Sequence, residues 1–258
     1  MITSYHVHSN ISDGNNTISE LVEAAARQGL DEIGISDHYV LLSEGRSASW
    51  SMPLDYIPAY LDAIESAARA ARGKVAVRRG LEVDFCPDSI DSVAKLIHNY
   101  GFDYVIGSVH FVGSFPIDDC KAYWDELPDG KADEIIQRYW ENIRLMAESR
   151  VFRVAGHLDL YKKFGYLPSF DARPLIAKAL DAIADFGMAV ELNTSGWHKA
   201  AVKEPYPSLG ILRDCAARDI PIIITADAHN VNELTRDYDR ARILVESVGG
   251  RLIDRVGP

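Results

Sequence analysis

Residues 2–29 read ITSYHVHSNISDGNNTISELVEAAARQG and hold a complete strand–loop–helix unit. Ile2 to His8 holds no Gly, Pro, Asn or Asp and predicts a strand over 2–8. Thr17-x-x-Glu20 is a capping box. Ile18, Leu21, Val22 and Ala25 follow at i, i+3, i+4 and i+7, and Gly29 offers a left-handed stop. The alternation recurs along the chain. Further strands are predicted over 32–36, 75–82, 103–109, 151–156, 187–192 and 220–225. Helices are predicted over 55–72, 89–100, 131–149, 208–218 and 231–247, with another running from Pro174 in its first turn to Gly187. The strands are apolar on both faces, as parallel strands covered on both sides are.

This makes about seven βα units. No linker-like or low-complexity stretch divides them and no close repeat relates them, so the chain reads as a single domain over 1–258. Strand–helix alternation implies a parallel sheet with right-handed crossovers. The phosphate-cradling glycine motifs of open nucleotide-binding sheets, GxGxxG and GxxxxGK[ST], are missing. The expected fold is therefore α/β, a TIM-like barrel of seven strands.

Composition narrows the function. The 258 residues include 27 Lys and Arg against 38 Asp and Glu, a formal net charge of −11, with 47% hydrophobic residues. That is enough apolar content for a sizeable core. The acidic balance excludes broad binding to nucleic acid or to an anionic membrane. Cys86, Cys120 and Cys215 are scattered and read as free thiols in a reducing compartment. No basic-then-apolar leader follows Met1, and apolar runs such as Ile222–Ile224 are too short to span a bilayer, so a cytoplasmic location is expected.

In α/β barrels chemistry sits at the C-terminal ends of the strands. Six of the eight histidines fall there. His6 and His8 close the first predicted strand, and His38 follows the second. Glu82 closes the third, His110 the fourth and His157 the fifth. Glu191 and Asn193 close the sixth, Asp227 and His229 the seventh, and Asp13 lies in the first βα loop. On a strand, residues i and i+2 point the same way, so His6-x-His8 can bring two imidazoles to one ion, and Asp227-x-His229 repeats the device. Imidazole with carboxylate and no thiolate suits zinc, manganese or iron at a working site. Nine ligands exceed one coordination sphere and imply two or three divalent ions. His98 and His198 stand outside the pattern.

With these motifs in order, the chain resembles the polymerase and histidinol phosphatase (PHP) family of metal-dependent phosphoesterases. The likeness rests on His6-x-His8-Ser9, Asp13, Ser36-Asp37-His38, Gly80-x-Glu82, Ser108-x-His110, Gly156-His157-x-Asp159, Glu191-x-Asn193-x-Ser195 and Asp227-x-His229. Stretches such as Gly107–Phe111 and Glu191–Gly196 are similar to the histidinol-phosphatase branch. The resemblance implies a distorted (β/α)7 barrel holding three ions. The first would take His6, His8, Glu82 and Asp227, the second Glu82, His110 and His157, and the third Asp13, His38 and His229. Glu82 would bridge the first two. Glu82, Asp227 and His229 are then the catalytic candidates, with Asp159 and Glu191 supporting the ligands from behind.

The implied activity is hydrolysis of a small phosphate monoester by metal-activated hydroxide, with L-histidinol phosphate, an intermediate of histidine biosynthesis, as the leading substrate. The alternative is a nucleotide or another phosphorylated metabolite. Relatives place arginine near the phosphate, whereas here the loops after the fifth and sixth strands carry Lys162-Lys163 and Trp197-His198-Lys199. Lysine pairs a phosphate as a point charge rather than a fork. Lys162, Lys163, His198 and Asn193 are the candidates for substrate contact. The long 39–54 loop, with Glu44, Arg46 and Trp50, is large enough for a lid but reads equally as ordinary surface.

Overall fold

The computed structural model describes residues 1–199, 201 and 203–257. After β1 (Thr3–Ser4), the capping box forms as its sequence dictates. The Glu20 backbone N–H donates to Thr17 Oγ1 at 3.3 Å, and the Thr17 N–H donates to the Glu20 carboxylate at 2.9 Å. Helix α1 (Ile18–Gln28) follows, ends on Gly29 at φ 76°, and buries Ile18, Leu21, Val22 and Ala25. Next come β2 (Glu32–Ile35), β3 (His38–Tyr39), α2 (Ile57–Ala70), β4 (Ala76–Arg79), β5 (Glu82–Asp84) and α3 (Ile90–Tyr100). The middle holds β6 (Ile106–Ser108), a hairpin of β7 (Phe111–Val112) and β8 (Phe115–Pro116), α4 (Lys121–Asp125), α5 (Lys131–Glu148) and β9 (Val154–Ala155). The chain continues with α6 (Arg173–Asp185), β10 (Ala189–Asn193), α7 (Gly196–Lys199), α8 (Leu209–Ala217), β11 (Pro221–Thr225), α9 (Tyr238–Ser247) and β12 (Arg251–Ile253).

Two breaks hide the simplicity of the sheet. β2 and β3 are one strand interrupted at Ser36-Asp37, and β4 and β5 one interrupted at Gly80-Leu81. Hydrogen bonds run through the break, from the Gly80 N–H to Ile35 O at 2.8 Å and from the Glu82 N–H to Asp37 O at 3.1 Å. The parallel order is β1, β2/β3, β4/β5, β6, β9, β10, β11, β12. Its ends meet. At the C-terminal end of the strands Val7 bridges Ala228, with N–H to O bonds of 2.8 and 3.0 Å on either side. At the other end Thr3 Oγ1 donates to Asp254 O at 2.7 Å, just past β12. The seven expected strands are present. Between β1 and β11 the described residues form that single bridge rather than a ladder, with β12 wedged below it, and this is the distortion of the barrel.

Some elements depart from the sequence reading. α9 begins at Tyr238 rather than 231, because Asn230 Oδ1 takes the Asn232 N–H at 3.0 Å in a local turn that competes with helix. β12, the β7–β8 hairpin and the short α4 and α7 carry too little pattern to predict. Among the described residues no helix is long and apolar enough to cross a membrane.

Period two places Tyr104, Ile106 and Ser108 on one face, as it does Ala189, Glu191 and Asn193, and Ile223 and Thr225. That inner face is graded. Its lower part is the apolar cluster of Tyr5, Tyr104, Ile106, Val154, Ala189, Ile223 and Val256. Gly34 and Gly80 make room for Tyr104, since a Cβ at either would overlap its ring and hydroxyl. The upper part is polar and buried: Ser108, Glu191, Asn193 and Thr225. The alternate residues, such as Val105, Val190 and Ile222, pack outward in the clusters shared with the helices.

Candidate metal centre

The graded inner face ends in the nine residues singled out from the sequence, and all nine come together. Glu82, at the start of β5, is the hub. Its Oε1 lies 2.9 Å from His157 Nε2 and 3.8 Å from His110 Nε2. Its Oε2 lies 2.8 Å from His38 Nδ1, 3.1 Å from His6 Nε2 and 3.5 Å from His8 Nε2. Asp227 Oδ1 is 3.2 Å from His8 Nε2 and 3.8 Å from His6 Nε2. Asp13 reaches His229 Nε2 at 3.2 Å and His38 Nε2 at 3.7 Å.

Among the described residues, four overlapping groups have ligand atoms within 4.8 Å of one another: His8, Asp13, His38 and His229; His6, Glu82 and His157; His6, His8 and Asp227; and His38, Glu82 and His110. The first group contains the expected third set, and the third group falls within the expected first set. The second and fourth differ from the expected partition: His110 and His157 each meet Glu82 but fall in separate groups.

The donor set fits a cation. His6 Nε2, both ring nitrogens of His8, Glu82 Oε2 and His157 Nδ1 are buried with no hydrogen-bond partner among the described residues. Each such atom costs about 1–3 kcal/mol when left unpaired. A divalent cation satisfies several at once, and oxygen and imidazole nitrogen without sulfur suit zinc, manganese or iron.

Behind the hub, a second layer fixes the rings. His6 Nδ1 lies 2.7 Å from Glu191 Oε2, His110 Nδ1 2.8 Å from Asp84 Oδ2, and His229 Nδ1 2.9 Å from the Asp227 carbonyl. Tying one nitrogen turns the other toward the centre. Glu191 also accepts from the His157 N–H at 2.6 Å, Asn193 Nδ2 at 3.0 Å and Thr225 Oγ1 at 2.9 Å. Ser108 Oγ donates to Glu82 at 2.5 Å. Asp37 is no member of the cluster. It accepts from the Ser9 N–H and Oγ at 2.7 Å each and from Ser12 Oγ at 2.5 Å, which shapes the loop carrying Asp13.

Charge follows this packing. Burial opposes ionisation of Glu82, but the rings of His6, His38 and His157 overcome it and hold the carboxyl well below its usual range. Asp227 is likewise lowered against burial, by Lys199, His229 and His8. Burial, reinforced by His38 and His229, pushes His8 down to about 3. Burial also opposes the charge on His110, yet Asp84 and Glu82 raise it to about 10.

The cluster floors an open pocket of about 260 Å³. Its walls add Trp50, Asp118, Asp119, Lys163, Ser195 and Lys199, among others. Of the four substrate candidates, Lys163 alone lines it, with Nζ 2.6 Å from Asp118 O and 3.1 Å from Asp118 Oδ2. Lys162 is instead buried, its Nζ bonded to Asp159 Oδ2 at 3.0 Å and Pro205 O at 2.7 Å. His198 turns away to Asp237 at 2.5 Å, and Asn193 is spent on Glu191 and the Ser195 N–H. Asp159 touches no candidate ligand: its Oδ2 accepts from Lys162 and from the Ser208 N–H at 3.0 Å.

Sequence reasoning passed over Asp84, Asp118 and Asp119, and it named Lys199 and Trp50 in their loops without placing them at the site. Asp84 had a signal, the period-two pair Glu82-x-Asp84. Lys199, whose Nζ lies 3.0 Å from Asp227 Oδ2, had only its place in a loop.

Comparison with known proteins agrees with this geometry. The chain is 34% identical over 250 residues to a probable histidinol-phosphatase of Deinococcus radiodurans, covering 96% of this chain and 94% of that one. It is 26% identical to the histidinol-phosphatase of Bacillus subtilis, covering 91% and 96%. Its fold is that of a Lactococcus lactis histidinol phosphate phosphatase solved with Zn, L-histidinol and phosphate, at TM-score 0.82 and 22% identity over 99% of this chain and 97% of that one. Residues 4–195 match the PHP domain itself. The chain belongs to the PHP-domain family.

Proposed function

We propose that this protein is a metal-dependent phosphatase that hydrolyses L-histidinol phosphate to L-histidinol and phosphate. In this reading it works as one barrel domain over 1–258, in the cytoplasm, on a small phosphorylated metabolite, with no nucleic-acid or membrane partner. The observation that carries it is the set of unpartnered, buried nitrogen and oxygen atoms around Glu82, lying at the floor of an open pocket with two lysines on its walls. The names of the relatives, and the zinc, histidinol and phosphate held by the Lactococcus protein, support the substrate.

Two or three divalent ions, zinc, manganese or iron, would be held by His6, His8, Asp13, His38, Glu82, His110, His157, Asp227 and His229. When bound, such ions neutralise a phosphate dianion and lower the pKa of water. The chain's own residues do the rest. Glu82 presents both oxygens to the ring nitrogens around it and would join two of the ion sites. Glu191 and Asp84 hold the rings of His6 and His110 in orientation. Lys199 is kept protonated by Asp227 although burial opposes it, and supplies positive charge to the ester on one wall. Lys163 supplies it on another.

The test is a substrate panel. L-histidinol phosphate is expected to exceed AMP and p-nitrophenyl phosphate in kcat/KM. A nucleotide winning by about tenfold would replace the histidinol reading with the nucleotide one. Elemental analysis finding no transition metal in active protein would remove the metal-dependent mechanism.

A further inference from the structure

Trp50 stands in the wall of the pocket, yet nothing in the cation-binding set requires it. Its indole centroid lies 4.6 Å from the ring of His38 and 5.3 Å from that of His110, both edge-on at 70° and 74°. Phe111 backs it in a near-parallel arrangement at 6.1 Å and 10°. The ring is half-buried and lines the cavity in a wall that is otherwise mostly charged or polar.

The loop that carries it is tied down. Val40 N–H donates to Ser51 Oγ at 3.0 Å, Ser51 Oγ to His38 O at 3.2 Å, and Met52 N–H to His38 O at 3.0 Å. Ser89 Oγ donates to Leu41 O at 2.5 Å, and Met52 is fully buried. The chain leaves the strand at His38, makes an excursion, and returns to the same carbonyl one and two residues after Trp50. The excursion has the effect of fixing one indole beside the reacting end of the pocket. A large aromatic held rigid and left part-open at a polar pocket is the usual means of gripping an apolar or flat part of a ligand at low entropic cost.

We propose that Trp50 is a specificity-determining residue: its ring packs against the alcohol part of the substrate and selects phosphate monoesters whose alcohol carries a flat ring a few bonds from the ester oxygen. This rests on the phosphatase reading above and goes beyond it by assigning the side chain that reads the alcohol.

The experiment compares wild type with Trp50→Ala and Trp50→Phe on L-histidinol phosphate and on glycerol phosphate, which has no ring. Trp50→Ala is expected to raise KM for L-histidinol phosphate by about tenfold with kcat within about twofold, and to leave both constants for glycerol phosphate within about twofold. Trp50→Phe, which keeps a flat face and serves if the alanine variant fails to fold, is expected to recover most of the loss. Equal losses on both esters would overturn the proposal, since they would mean that Trp50 serves His38 and His110 rather than the alcohol. No loss on either ester would overturn it too. If the wild type hydrolyses neither ester, the phosphatase reading is what has failed. Calorimetric titration of L-histidinol then still tests Trp50: binding that weakens in Trp50→Ala sustains the proposal, and binding that is absent or unchanged ends it.

Discussion

Glu82→Gln removes one charge and almost no volume from the place where the site is most dependent on charge. Five imidazole rings lie within 4.0 Å of the Glu82 carboxylate. Its side chain is fully buried, so solvent screening is slight. Two unit charges about 4 Å apart interact by about 4 kcal/mol at an effective dielectric near 20. Counting a divalent cation as only one unit of charge, the loss is still about a thousandfold in affinity for an ion facing Glu82. The fold has little reason to fail. The amide is isosteric, its oxygen still accepts from Ser108 Oγ, and the carboxyl's ionisation is itself opposed by burial.

Three measurements separate these effects. Elemental analysis after dialysis should find fewer ions in the variant than in wild type. Phosphatase turnover should fall below detection. Thermal melts in chelator should superimpose within a few degrees, whereas the rise in Tm that added metal gives the wild type should be largely lost. A variant that keeps the full complement of ions and turns over within about tenfold of wild type would refute the hub role of Glu82.

Lys199→Met should raise KM for phosphate monoesters and weaken inhibition by inorganic phosphate by about tenfold, the worth of one charge-assisted contact, and unchanged phosphate inhibition would count against it. Lys162→Met should act on stability, because it leaves the buried Asp159 carboxylate without its partner; a loss of about 3–5 kcal/mol in a urea melt is expected, and a melt like that of wild type would show the pair to be dispensable. Cation affinity should rise with pH. Without a cation, burial opposes the proton on His6 and on His110, but Glu191 and Asp84 hold it there, and that proton must leave before the ring can ligate. Metal titrations in buffers of different ionisation enthalpy should therefore report proton release, and an affinity flat between about pH 6 and about pH 9 would contradict the assigned couplings.

What was legible in the sequence and what was not divides along one physical line. On strands, side chains alternate, so a residue's face follows from its parity. That is why His6-x-His8 could be placed from spacing, and nine candidates from seven separate stretches of chain meet in one cluster. The walls of the pocket come from turns instead. Lys162 and Lys163 sit in the 3-10 turn Leu160–Phe164, where successive side chains diverge by about 120°. One therefore enters the core to hold Asp159 and Pro205 while its neighbour lines the pocket. His198 and Lys199 share the short helix α7, where the divergence is about 100°, and again the first turns out to Asp237 and the second in to Asp227. Neither choice can be read from adjacency, because it depends on the phase at which the turn leaves the strand. Trp50 is the extreme case. Its position follows from three hydrogen bonds made by residues on either side of it, and neither the loop's length nor its composition announces them. The chemistry of the floor is thus written in strand parity, while the choice of substrate is written in the phase of loops.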